Sequence, residues 1–273
     1  MRITVVTGEP SGRLYAGLVE EALAVAAPDT EIIRLEAAGH HDTVLGFTEG
    51  VRSAPRLTRR LSAVGRRIAG LGPDLVLLVG FSNFNLPLGR ACRRVGLPVA
   101  FLAPPQLWAW GSWRCALLRR AADLVICLFP FEADWLRRRR VRAVFTGNPL
   151  VDAVRAGEGR TARSTRKMTL ERLGMSQDQR YIAFLPGSRP SELTHHNRLF
   201  DTIEIPSYLC LRIAPDSPLA PHRYDLLAHA DAAVIVSGTA TLEAALLGLP
   251  QVVCYHLGGP TRLLARLMVR PRC

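Results

Sequence analysis

"LVLLVGFSNFNLPLG", residues 75–89, is unbroken apolar sequence from Leu75 to Val79 and then turns polar. A strand that is apolar at every position is covered on both faces, as in a parallel sheet between layers of helices. Ser82, Asn83 and Asn85 then predict a polar loop, with Pro87 ending regular structure. In open α/β sheets ligands gather outside the carboxyl ends of the strands, so this loop is a candidate site. It offers amides and a hydroxyl but no carboxylate, and acid–base chemistry at that edge needs one.

The same unit recurs in both directions along the chain. Residues 2–7 read as an apolar strand, followed by Gly8, Ser11, Gly12 and a helical pattern over 14–26. The order is Rossmann-like, but the glycine spacing departs from the dinucleotide fingerprint and gives NAD no support. A second strand is predicted over 31–35 and a basic amphipathic helix over 51–70. Beyond Val79 the pattern alternates helix 90–95, strand 99–102, loop 103–113, helix 115–122, strand 124–128, helix 131–140 and strand 142–145. The polar stretch 155–180 predicts a linker between an N-terminal domain, 1–154, and a second domain, 181–273. The latter opens on a strand at 181–185 and carries another at 234–236, a helix at 240–247 and a last strand at 252–255. The expectation is an α/β protein of two Rossmann-like lobes facing each other across a cleft.

With 273 residues, 48% of them hydrophobic, the chain can bury real cores. No run approaches the roughly 18 consecutive apolar residues of a spanning helix. The first strand begins at the N-terminus and leaves no room for a secretory signal, so a soluble cytoplasmic protein is expected. Cys92, Cys115, Cys127, Cys210, Cys254 and Cys273 form no CxxC pair, which favours buried reduced thiols over a metal site. The formal charge of +12, with arginine far outnumbering lysine, points to nucleic acid, a phosphorylated substrate or an acidic membrane surface. A compositional bias toward arginine is the bland alternative.

Two stretches suit phosphate. "LPGSRPSEL" (185–193) sets Gly187, Ser188 and Arg189 at a strand's end, where turn amides and a guanidinium fit a diphosphate. Ser191 and Glu192 either start the next helix or contact a sugar. "VSGTATLEAALLGLP" (236–250) sets Ser237, Gly238 and Thr239 at a helix N-terminus, with Glu243 one turn later, where a carboxylate can grip ribose hydroxyls. Ordinary turns and helix capping are the alternatives. "PPQLWAWGSWR" (104–114) places Trp108, Trp110 and Trp113 in one loop, as an acyl-chain surface or as core. The arginine run 137–140 reads as a solvated helix end or an anion patch, and His195–His196 as surface.

Taken together and in order, these stretches resemble the lipid-A-disaccharide synthase family of inverting glycosyltransferases. The matching pieces are "GEPSG" (8–12), "LGFTEG" (45–50), "PDLVLLVGFSNFNLPL" (73–88), "PPQLWAW" (104–110), "LFPFEADW" (128–135), "FTGNPLVD" (145–152), "LPGSRPSEL" and "SGTATLEAALLGLPQVVCYH" (237–256). The resemblance implies a two-lobed GT-B fold, a UDP-linked diacylglucosamine donor and a diacylglucosamine 1-phosphate acceptor (lipid X). Transfer would form a β-1,6 linkage with release of UDP, with no metal or cofactor. It also implies a peripheral enzyme on the cytoplasmic face of the inner membrane, meeting an anionic surface rather than nucleic acid. By motif, Gly187, Ser188, Arg189, Glu192, Ser237, Gly238, Thr239 and Glu243 would hold the UDP-sugar. Ser11, Asn83, Asn85 and Gln106 would face the acceptor, and Trp108 and Trp110 the acyl chains.

The chain also departs from the family pattern. Where that pattern resembles "IDFPDFN", Gly80 stands in place of a candidate general base and Asn83 in place of a second acid. An Asp at Gly80 would be tolerated only if φ there is negative. Arg13, Gly111 and Asn148 replace the Asp of "GExSGD", the Arg of "WAWR" and the His of "GHPL". Only 38 residues separate Glu192 from Asp231, so an incomplete second lobe is expected. Glu9 remains as the alternative base. The competing readings are a degenerate homologue that only binds a nucleotide-sugar or membrane partner, and a UDP-sugar epimerase, which would need its own acids.

Overall fold

In the computed structural model, which describes residues 1–37, 47–109, 111–161, 165–188 and 190–256, the apolar runs become two parallel sheets. The first holds β1 (Arg2–Thr7), β2 (Glu31–Glu36), β3 (Leu75–Val79), β4 (Val99–Leu102), β5 (Leu124–Cys127) and β6 (Ala143–Phe145). They pair in the order β2-β1-β3-β4-β5-β6. Every ladder is parallel. Its helices are α1 (Pro10–Ala26), α2 (Phe47–Leu71), α3 (Ser82–Arg94), α4 (Cys115–Ala121) and α5 (Pro130–Arg137). On α2, Leu57, Leu61, Val64, Ile68 and Leu71 recur every three or four residues and pack on the core. Arg59, Arg66 and Arg67 stay exposed.

The second sheet holds β7 (Tyr181–Leu185), β8 (Leu209–Arg212), β9 (Ala232–Val236) and β10 (Gln251–Cys254), in the order β10-β9-β7-β8 and again all parallel. Four strands make it the shorter of the two. Its helices are α6 (Pro149–Thr161), α7 (Arg166–Arg172), α8 (Pro190–Phe200), α9 (Arg223–His229) and α10 (Thr239–Leu246). Tyr181, Leu226, Ile235 and Ala244 are fully enclosed in its core. The described chain divides into compact units over Met1–Pro149 and Leu150–Leu257.

Several local expectations change. The loop predicted after Val79 is helix α3, with Pro87 inside it. Proline there removes one hydrogen bond, to the Asn83 carbonyl in the first turn. The stretch 155–180 holds the end of α6 and all of α7. β8 and α9 were not legible, and His196, expected at the surface, is buried and accepts from the His256 amide at 3.0 Å. Cys92, Cys115 and Cys127 are buried and free, with burial pushing the Cys92 thiol up to about 11 and Cys127 to about 12. Cys273 lies outside the described residues. In the arginine run, Arg137 donates to the Ala143 carbonyl at 2.8 Å and Arg139 lies 3.6 Å over the Trp135 ring. Among the described residues no helix is long and apolar enough to cross a membrane.

One carboxylate ties the second unit together. Asp231 Oδ2, just before β9, accepts from the Tyr181 amide that opens β7 and from Arg166 Nη2 on α7, both at 3.0 Å. Burial acts to raise this carboxyl, but the Tyr181 amide and the Arg166 guanidinium outweigh it and hold it below the usual carboxylate range. Its contribution is therefore complete above the unfolded-state carboxylate pKa and is lost as pH falls through the depressed folded value. Asp231→Ala should destabilise the protein by about 1.5–3 kcal/mol at neutral pH. In urea titrations across pH, that difference from wild type should shrink at the acid end. A constant difference at every pH would show that the carboxylate charge is not what matters.

Candidate functional site

Strand order decides where the sites are. In the first sheet the order reverses between β1 and β3, and in the second between β7 and β9. At such a switch point the two connections leave in opposite directions and open a crevice at the strands' carboxyl ends. The register makes the exits level. Val6 pairs with Leu78, so Gly8 and Gly80 both lie two residues further on. Leu185 pairs with Ile235, so Gly187 and Ser237 do too.

At the first switch point the backbone is crowded. Gly80 (φ 56) and Phe81 (φ 43) are consecutive left-handed residues. The Phe81 ring stacks on Phe84 at 5.7 Å and lies where a Cβ on Gly8 would be. Gly12 is equally constrained, because a Cβ there would sit 3.1 Å from the Val79 carbonyl. Asn85 is fully buried and donates to the Gly80 carbonyl at 2.8 Å, so this amide secures the turn, while its Oδ1 is buried with no partner among the described residues. Exposed Asn83 accepts from Arg114 Nη2 at 3.5 Å. Arg114 is itself buried and lies beside Gly111.

Glu9 is the N-cap residue of α1 and half-buried, with Ser11 half-buried in the first turn. The other carboxylate at this edge, Glu36, is occupied, accepting from Thr7 Oγ1 at 3.1 Å and from Arg13 Nη1 at 3.4 Å. Gln106 is exposed in its loop. Trp108 is half-buried and donates through Nε1 to Glu132 Oε1 at 3.0 Å. Its ring meets Phe131 edge-on at 5.1 Å. Trp113 is 70% exposed and Phe131 48%, so the aromatic surface is real but centred on those two residues. Trp110 lies outside the described residues.

The second switch point is a pocket of about 180 Å³ within the second unit, lined by Gly187, Ser188, Arg223, Ser237, Gly238 and Thr239 among others. Gly187 has φ 103, and a Cβ there would sit 2.6 Å from Glu192 Oε2. That carboxylate is buried and accepts from the Ser188 amide at 3.1 Å, so Glu192 closes its own turn. At α10, no side chain caps the N-terminus, and Ser237 and Gly238 are exposed. This is the open anion-suited end. Arg189 lies outside the described residues.

Glu243 differs from the expectation. It is 1% exposed, with Oε2 bonded to Arg223 Nη2 and Oε1 accepting from Tyr224 Oη at 2.9 Å. Neither Arg223 nor Tyr224 was read from the sequence, because no local spacing links them to a glutamate twenty residues on. Among the described residues no cluster of three or more His, Cys, Asp or Glu is placed to hold a metal ion.

A sequence model of the lipid-A-disaccharide synthetase family matches residues 3–208 and 218–272. The chain is 33% identical to a lipid-A-disaccharide synthase of Myxococcus xanthus over 98% of its own length and 78% of the relative's. It is 32% identical to that of a Pseudomonas aeruginosa strain, over 99% and 80%. Among solved structures it is similar to the UDP-GlcNAc 2-epimerase of Neisseria meningitidis bound to UDP-GlcNAc, at a TM-score of 0.65 and 13% identity, covering 97% of this chain and 86% of that one. The Methanocaldococcus jannaschii UDP-GlcNAc 2-epimerase gives 0.61 and 15%, over 93% and 83%. At these identities the two epimerases show a shared fold of two Rossmann-like lobes and nothing further.

The positive φ at Gly80 removes the condition under which an Asp is easily accommodated there. No atom lies within 4 Å of a Cβ at this position, so the obstacle is conformational. Gly80→Ala should cost about 1–2 kcal/mol in thermal or urea unfolding, and Gly80→Asp somewhat less, since Asp enters the left-handed region more readily. Equal stability of wild type and Gly80→Ala would refute the left-handed turn.

Proposed function

The chain belongs to the lipid-A-disaccharide synthetase family, and from that premise we propose how its two units share the reaction. It is a glycosyltransferase of lipid A disaccharide synthesis, acting on a nucleotide-sugar and acylated glucosamine. In our reading the second unit holds UDP-diacylglucosamine and the first presents diacylglucosamine 1-phosphate. The pocket at the β7/β9 switch point carries this reading, because turn amides, hydroxyls and a guanidinium converge there on a volume suited to a diphosphate.

The chemistry is a single displacement. The acceptor hydroxyl gives its proton to a base as its oxygen bonds the donor's anomeric carbon. The bond from that carbon to the diphosphate breaks, and the electron pair leaves with UDP. The N-terminus of α10, with Arg189, favours that departing charge. Glycine at position 80 has no side chain to take the proton, so we assign the base to Glu9, the carboxylate at the same switch point. The measurement is UDP release from acylated donor and acceptor. Glu9→Gln should slow it about 10²–10⁴-fold. If Glu9→Gln is unaffected while Gly80→Asp raises the rate, the base belongs at position 80. UDP binding with no release by wild type would favour the non-catalytic homologue. In calorimetry Arg189→Ala should weaken UDP by about 1.5–3 kcal/mol.

We further propose that the enzyme works at an anionic membrane, on the cytoplasmic side of the inner membrane. Exposed Trp113 and Phe131 together with the arginine face of α2 support this. Binding to anionic vesicles should be strong at low salt and lost near 1 M, where the screening length falls to about 3 Å. Trp113→Ala should weaken it, and is a cleaner probe than Trp108→Ala, which also breaks the bond to Glu132. Salt-independent binding, or none, would show that these residues do not meet lipid.

A further inference from the structure

We infer that Arg223 is a further nucleoside-diphosphate contact in the second unit, and that Glu243 is the positioning residue that holds it there. The inference rests on the reading of this pocket as the UDP site. Arg223 lines the pocket together with Ser188, Ser237, Gly238 and Thr239. Its side chain is 32% exposed, whereas that of its partner Glu243 is 1% exposed. The carboxylate is committed on both oxygens, to Arg223 Nη2 and to Tyr224 Oη. The guanidinium is not fully committed: Nη2 is bonded to Glu243, and Nε is buried with no acceptor among the described residues.

The asymmetry fits one arrangement. A buried carboxylate costs desolvation energy, and a lone ion pair is a poor way to gain stability. An arginine at the pocket wall has other uses. Its planar fork can accept a carboxylate along one edge and present the remaining N–H groups to phosphate oxygens. Fixing the fork in advance removes the entropy that a free arginine would lose on binding. Glu243 thus acts on the ligand through Arg223, and does not reach ribose hydroxyls without breaking both of its bonds. The open N-terminus of α10 and the guanidinium then flank the same anion from two elements.

The test is calorimetry on the full chain with UDP and with uridine, which lacks phosphate, over a series of salt concentrations. Arg223→Gln alone strands a buried charge, so the informative variant is Arg223→Gln combined with Glu243→Gln, which leaves a neutral pair of similar shape. That double variant should lose about 10- to 100-fold in UDP affinity, keep uridine within about twofold, and show a shallower salt dependence. Arg223→Lys, which keeps the charge and the partner for Glu243, should recover part of the loss. An unchanged ratio of UDP to uridine affinity in the double variant overturns the inference while leaving the UDP site intact. A loss of uridine affinity in Glu243→Gln also overturns it, since Glu243 would then be touching the nucleoside. If wild type itself binds no UDP, the underlying reading fails and takes the inference with it.

Discussion

Parallel pairing at two places, β1 with β3 and β7 with β9, is the constraint on which both candidate sites depend. Parallel strands cannot be joined by a tight hairpin, so each pair is closed by a crossover and all carboxyl ends emerge on one edge. Because the register is level, Gly8 and Gly80 leave one sheet side by side, and Gly187 and Ser237 leave the other. The chain must then turn within a residue or two, in space already crowded by its neighbour. Gly80, Phe81 and Gly187 make that turn with left-handed φ. The space for a Cβ is taken at Gly8 by the Phe81 ring and at Gly187 by Glu192. The turns suit ligands because they were first made to fit each other.

Buried carboxylates do the fastening around these turns. Glu192 holds the turn after β7, Glu243 holds Arg223, and Glu132 gathers Trp108 Nε1 with the amides of Leu128 and Phe129. Burial raises the Glu132 carboxyl, and the Trp108 indole and the two amides counter part of that. In each case an internal donor satisfies a charge that water would otherwise solvate, which is the condition for enclosing it. The loop carrying Trp108 is thereby anchored at one side, while Trp113 remains exposed.

Strand positions were legible because an all-apolar run of four or five residues has few other uses, and β3, β4 and β7 read correctly from that alone. Pro87 misled because proline inside a helix removes only one backbone hydrogen bond, and α3 continues through it to Arg94. The two turns after β7 and β9 were legible as glycine and hydroxyl residues at strand ends. The donors that their carboxylates meet were not: the Ser188 amide for Glu192 and Arg223 for Glu243. Sequence spacing reports which side chains share a helix face. It does not report which long-range donor will claim them, and Arg223 comes from a stretch with no recognisable pattern.

The same reasoning bears on where an acid can act at the first switch point. A carboxylate serves as a base only if it is near the reacting hydroxyl. Glu36, at the end of β2, is bonded to Thr7 and salt-bridged to Arg13. Position 80 has no side chain, and its left-handed backbone makes adding one costly. Glu9 sits where the chain leaves β1 and enters α1, at the edge shared with Gly80, and it is half-buried rather than enclosed. Arg13 has a structural consequence of its own: its salt bridge to Glu36 ties the first turn of α1 to the end of β2, which pairs with β1.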